Sequence, residues 1–256
     1  MDDALSLSVA DGIGRIVIRR AGRRNAFSRA MWRRLSALLA EAATDPSLAV
    51  LLVAGDGGQF CAGADIAEFA ATYADAATAE AANVEIATAI EALAGFARPT
   101  MAAISGACVG GGVSLALACD LRIADATARF AVTPARLGLI YSHGDTLRLV
   151  RAVGAPRAKE LLFTGRMVEA EEAARIGLVG TLAADARAEA ERLAALLAAA
   201  SRPALRAIKR MVEDVAAGVP EGPAHRAAFA EAFRGADFAE GRAAFLEKRP
   251  PRFSAP

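Results

Sequence analysis

Gly110, Gly111 and Gly112 stand side by side just ahead of the apolar run Val113-Ser-Leu-Ala-Leu-Ala-Cys119. Where that run is helical, the triplet lies at the helix N-terminus. The first N–H groups there have no partner inside the helix, and the dipole end is positive. Glycine adds no side chain, so a ligand can come close to the backbone. An N–H aimed at an oxygen that gains negative charge is a strong catalytic device. Close packing of a helix on a strand would call for the same glycines. No Gly-Lys-Ser/Thr follows the triplet and no G-x-G-x-x-G surrounds it, which excludes a P-loop and a dinucleotide fingerprint. A second stretch of small residues, Gln59-Phe-Cys-Ala-Gly-Ala-Asp-Ile66, follows another apolar run. Two such loops could aim two backbone donors at one oxygen.

The elements that must position these loops follow from hydrophobic periodicity. Leu5–Val9 and Arg15–Arg19 flank Gly12–Gly14 and form a hairpin. Ser28 is a suitable N-cap for a helix over 29–43, with Trp32, Leu35, Leu38 and Leu39 on one face. Residues 49–54 and 100–104 are short apolar runs, as in strands buried on both faces, and 121–124 is strand-like again. An Ala-rich helix over 78–96 and one entered from the glycine triplet lie between them. Strands alternating with helices predict an α/β layered fold. From Asp185 to Lys248 the pattern is helical throughout, broken at Arg202-Pro203 and at 218–223. The expected division is a core over 1–184 and a helical C-terminal region over 185–256.

Bulk properties narrow the function. The 256 residues are 55% hydrophobic, enough for a large core, and 30 basic residues nearly balance 29 acidic ones. A net charge of +1 argues against a nucleic-acid-binding protein. The arginines at 15, 19, 20, 23, 24, 29, 33 and 34 make the N-terminal part locally basic, as a solvated surface or as an anion-binding rim. Cys61, Cys108 and Cys119 are an odd set in apolar surroundings, which predicts core thiols in a reducing compartment and no metal site. No stretch reads as a signal peptide or membrane span, so the expected location is the cytoplasm.

Several motifs, in order, carry a resemblance. Arg24-Asn-Ala-Phe27, Phe60-Cys-Ala-Gly-Ala-Asp-Ile66, Ile104-Ser-Gly106, Gly110-Gly-Gly112, Ala118-Cys-Asp120, Arg136-Leu-Gly138, Leu162-Phe-Thr-Gly165 and Gly177-Leu-Val179 resemble the crotonase (enoyl-CoA hydratase/isomerase) superfamily from about residue 5 to 253. The resemblance implies a crotonase-like spiral of ββα units with a helical C-terminal trimerisation region. It implies an acyl-CoA thioester as ligand, with coenzyme A part of the substrate and no separate cofactor, and self-association as a trimer or a dimer of trimers. By motif position, the N–H groups of Ala64 and Gly111 would hold the thioester oxygen. Arg24, Ala26, Ala62, Gly63, Asp65, Ile66, Gly110 and Tyr141 would border the substrate, and many relatives carry Lys where this chain has Ala67.

The acid and base are another matter. In the hydratase pattern two Glu residues share a water, one two residues after the glycine triplet and one about twenty residues further on. Here those positions hold Ser114 and Pro134, or Ala135 if the proline is matched. Some relatives place an acid near the position of Ser142. This chain has His143 and Asp145 beside it. Histidine is a side chain suited to proton transfer, which makes His143 a candidate. Asp145 could do the same, or could serve as a first-turn acid for the helix that follows. Glu68 and Glu91 are further candidates. The expectations are an acyl-CoA isomerase- or hydratase-type enzyme without the two-Glu pair, or a non-catalytic acyl-CoA-binding or assembly protein of the same fold.

Overall fold

The computed structural model describes residues 4–253. The chain opens with the hairpin β1 (Leu5–Ala10) and β2 (Ile13–Ile18), followed by α1 (Arg29–Thr44) and β3 (Val50–Gly55). A short α2 (Phe69–Thr72) and the long α3 (Ala76–Ala94) lead to β4 (Thr100–Ile104), β5 (Ala107–Val109), α4 (Gly111–Ala118), β6 (Leu121–Ala124) and β7 (Arg129–Ala131). Next come α5 (His143–Val153), α6 (Ala155–Thr164), β8 (Val168–Glu169), α7 (Ala170–Arg175) and β9 (Thr181–Leu182). Four helices complete the described chain: α8 (Ala186–Ala198), α9 (Arg202–Ala216), α10 (Pro223–Ala232) and α11 (Ala236–Glu247).

Two sheets result. The larger has the order β1-β2-β3-β4-β6-β9, with β1 antiparallel to β2 and the other pairs parallel. The smaller has the order β5-β7-β8. Alternation decides which side chains face which layer. Leu51, Val53, Ala102 and Ile104 join the main core with α1, α3 and α4. Leu52, Ala54, Met101, Ala103 and Ile123 face the other way, onto Ala186, Ala190 and Ala194 of α8. Those alanines recur at four-residue spacing and form one stripe, small enough for the helix to lie close to the strands.

Asp185 caps α8, the helix that covers the outer face of the core sheet. The next helix, α9, is amphipathic and exposes Ile208, Val212 and Val215. A half-buried contact anchors that helix. Lys209 Nζ lies 2.9 Å from Asp120 Oδ2 and donates to the Arg98 carbonyl. The remaining expected elements form within a few residues of their predicted bounds, but the small sheet was not foreseen. Its strands are two or three residues long, too short for an alternating pattern to register.

Candidate active site

The site begins where two loops are sewn together through their backbones. Cys61 N–H donates to the Ala107 carbonyl at 2.8 Å, and Val109 N–H donates to the Cys61 carbonyl at 2.9 Å. The 59–61 segment thus extends the small sheet beside β5, with Cys61 opposite Cys108. Two glycines permit the approach. Gly63 has φ +94°, and a Cβ there would meet the Val109 carbonyl oxygen at 2.7 Å. A Cβ on Gly112 would sit 2.1 Å from the Cys61 carbonyl oxygen. Any side chain at either place would push the two loops apart.

A third segment locks the second loop from the other side. Ala62 N–H donates to Arg24 O at 3.0 Å, Phe27 N–H to Gly63 O at 2.7 Å and Asp65 N–H to Phe27 O at 2.8 Å. Between these bonds, the Ala64 N–H has no acceptor among the described residues; nor has that of Gly111, the first residue of α4. Both residues line one cavity of about 520 Å³. Gly110 spends its own N–H on the Ala131 carbonyl. Trp32 of α1 lies against Gly111 and packs on Phe27, with ring centroids 4.5 Å apart. The helical face that buries Trp32 was legible in the sequence, but its place in the cavity wall was not.

Other expected residues divide between the cavity and its support. Ala62, Gly63, Ile66, Gly110, Ser114, Tyr141 and Asp145 line the cavity. Asp65 does not, since its carboxylate turns away to Arg20, 2.7 Å from Nη1, and accepts from Ala67 N–H. Ala26 is buried under the loop and Arg24 is exposed beside it, and neither reaches the cavity wall. The bond from Arg20 holds the Asp65 carboxyl below its ordinary value near 3.8, against the opposing effect of burial. The depressed value means that the stabilisation is present above the unfolded-state pKa and is lost as pH falls through the folded one. Asp65→Asn should therefore cost about 2 kcal/mol at neutral pH. The gap between the urea midpoints of the two proteins should close as pH drops below about 4. A gap that stays constant down to pH 3 would show that this pair does not hold the loop.

Ser114, Tyr141 and Asp145 line the same cavity as Ala64 and Gly111. Ser114 is buried, with Oγ 2.8 Å from the Tyr141 hydroxyl, which in turn donates to the Gly110 carbonyl at 3.3 Å. Burial first, and the nearby charge of Asp145 second, push the Tyr141 hydroxyl above its ordinary range. It stays protonated and does not make Ser114 a base. Pro134 lines the cavity with no titratable group.

Asp145 is buried in the first turn of α5. Ser142, the N-cap, receives its N–H at 3.1 Å and donates its hydroxyl to Oδ2 at 2.7 Å. Oδ1 is buried and has no hydrogen-bond partner among the described residues. His143, one residue from the cap, is exposed and outside the cavity wall. Glu68 accepts the Arg29 N–H at 2.7 Å, whereas Glu91 does reach the cavity. The three cysteines are buried and unpaired, and burial pushes the Cys61 and Cys119 thiols up to about 12. Among the described residues no cluster of metal-ligating side chains occurs, and no helix is long and apolar enough to cross a membrane.

In a mixed α/β fold, two backbone loops thus converge on one cavity. The comparisons give the family. Residues 8–256 match the enoyl-CoA hydratase/isomerase family. A crystal structure of an enoyl-CoA hydratase/isomerase family protein from Hyphomonas neptunium is similar at TM-score 0.95 and 44% identity, covering 99% of this chain and 98% of that one. A Mycobacterium tuberculosis protein named "Probable enoyl-CoA hydratase" is 36% identical, over 94% of each chain. The mitochondrial methylglutaconyl-CoA hydratase of Mus musculus is 34% identical, over 94% of this chain and 79% of its own. The chain belongs to the enoyl-CoA hydratase/isomerase (crotonase) superfamily, and it has the crotonase fold.

Proposed function

We propose that this protein is an acyl-CoA-processing enzyme that holds the thioester oxygen with the N–H groups of Ala64 and Gly111 and moves a substrate proton with Asp145. The observation that carries the reading is the company these groups keep. Ala64 and Gly111, whose N–H groups have no acceptor among the described residues, line one cavity with Asp145, which carries a buried carboxylate oxygen without a donor. Polarising the carbonyl makes the α-carbon proton acidic, because the charge released on its removal flows to the oxygen between the two donors. Asp145 Oδ1 is the free acceptor for that proton, while the Ser142 hydroxyl holds Oδ2 in place. One carboxylate serves isomerisation or proton exchange. Hydration by two Glu residues has no support in Ser114 and Pro134.

The test is exchange of the α-proton of bound acyl-CoA thioesters in deuterated water, followed by mass spectrometry. Exchange well above the solution rate is the expected result, with slow hydration of crotonyl-CoA. Binding without exchange from pH 5 to 9 would leave a non-catalytic acyl-CoA-binding protein. Self-association belongs to the same reading. Ile208, Val212, Val215, Phe229 and Phe233 leave an apolar face on α9 and α10 exposed in a single chain. Sedimentation should give a trimer or a dimer of trimers, and a monomer at micromolar concentration would refute that part.

A further inference from the structure

A second cleft, of about 620 Å³, lies beyond the cavity described above. The two share their walls in a regular order. Helix α4 gives Ser114 to the first cavity and Leu117 to the second. Helix α5 gives Asp145 to the first and Arg148 to the second, and α3 gives Ile90 to the first and Ala94 to the second. Each step is about one helical turn, roughly 5 Å along an axis. The cavities therefore lie end to end, separated by a layer one turn thick.

Glu91 is the residue that faces both. Arg148 Nη1 donates to its Oε1 at 3.1 Å, and Nη2 bonds the same oxygen. Gly144 is bare where the pair crosses α5. A Cβ there would come within 2.7 Å of Glu91 Oε1 and 3.1 Å of Arg148 Nη1. The Arg148 side chain is only 13% exposed against 63% for Glu91, so the arginine is the fixed member and the glutamate the movable one.

We propose that the Glu91–Arg148 pair is the end wall of the acyl-chain subsite and limits the substrates to short acyl thioesters whose chains stop ahead of it. This inference rests on the acyl-thioester reading given above. Gly111 and Leu117, the α4 residue on the far side of the wall, are about 9 Å apart along α4, which caps the room ahead of the wall at roughly six to eight carbons. Up to that length each methylene leaves water for an apolar wall formed partly by Ile86 and Ile90. Beyond it, a methyl group meets an ion pair that it cannot hydrogen-bond. A longer chain must swing Glu91 aside and leave a mostly buried guanidinium without its acid.

The experiment measures dissociation constants for saturated acyl-CoAs from butyryl to dodecanoyl, with free CoA as reference. The proteins are the full-length wild type and the double variant Glu91→Ala/Arg148→Met, which leaves no lone charge. Wild-type affinity should rise about fourfold per methylene up to octanoyl and then stop rising. In the double variant the rise should continue into the second cleft, with free CoA bound as before. If the double variant does not fold, Glu91→Ala alone should shift the break in the same direction. A wild-type series that rises without a break, or a break at the same length in the variants, would overturn the end wall and leave the acyl-thioester reading standing. Failure of free CoA and every acyl-CoA to bind would remove both.

Discussion

Asp145→Asn should lower the rate of α-proton exchange by about 10²–10⁴-fold, the usual contribution of a positioned acid–base group. The amide is close in size to the carboxylate and can keep the bond from the Ser142 hydroxyl, so α5 should start as before. What it loses is the affinity for a proton at Oδ1, a buried atom without a hydrogen-bond partner among the described residues, on a residue that lines the cavity. Affinity for acyl-CoA and the circular dichroism spectrum should therefore stay unchanged while exchange collapses. His143→Gln makes a matched control, since His143 is exposed beside the same helix start and outside the cavity. Its exchange rate should remain at the wild-type level. If Asp145→Asn kept the wild-type rate, the carboxylate would be a capping group and the base would have to be sought elsewhere, with Glu91 as the next acid in the wall.

Gly111→Pro should cost about 10²–10³-fold in turnover, the effect of removing one oxyanion donor. Gly111 is the first residue of α4, the helical position that best tolerates proline, and its N–H makes no backbone bond that the fold would miss. The added ring meets Trp32, whose nearest atom would lie 3.3 Å from a new Cβ, so the spectrum and the urea midpoint are recorded with the rate. A variant that folds, binds acyl-CoA and still turns over at the wild-type rate would remove Gly111 from the oxyanion hole. The two substitutions act on the two ends of one charge movement. One removes the group that takes the proton, and the other removes part of the site that receives the electrons.

The large elements were legible in the chain because their signals are local. Ser28 before an apolar-faced segment marks α1, and Asp75 and Ser142 cap helices by bonds to residues three positions on. The continuous apolar runs at β3 and β4 are strands with both faces covered, as such runs imply. The partner of α8, which Asp185 caps, was not legible. Nothing local says that its stripe of alanines lies on Leu52 and Met101, more than 80 residues earlier in the chain. The direction of the Asp65 side chain was not legible either. Its neighbours Ala64 and Ile66 face the cavity, but its carboxylate is taken by Arg20.

From the sequence alone come the family, the order of the elements and the two glycine-bearing loops, because each is written in contiguous residues whose type and spacing admit few conformations. The assignment of the acid does not come that way. His143 and Asp145 stand two residues apart and carry equal weight as letters. Only the start of α5 at Ser142 turns one into solvent and buries the other with an oxygen bare. Likewise, Glu91 and Arg148 become a wall only because three helices pass the same two cavities. Which side chain faces a shared space depends on the rotation of helices distant in sequence, and packing decides that rotation.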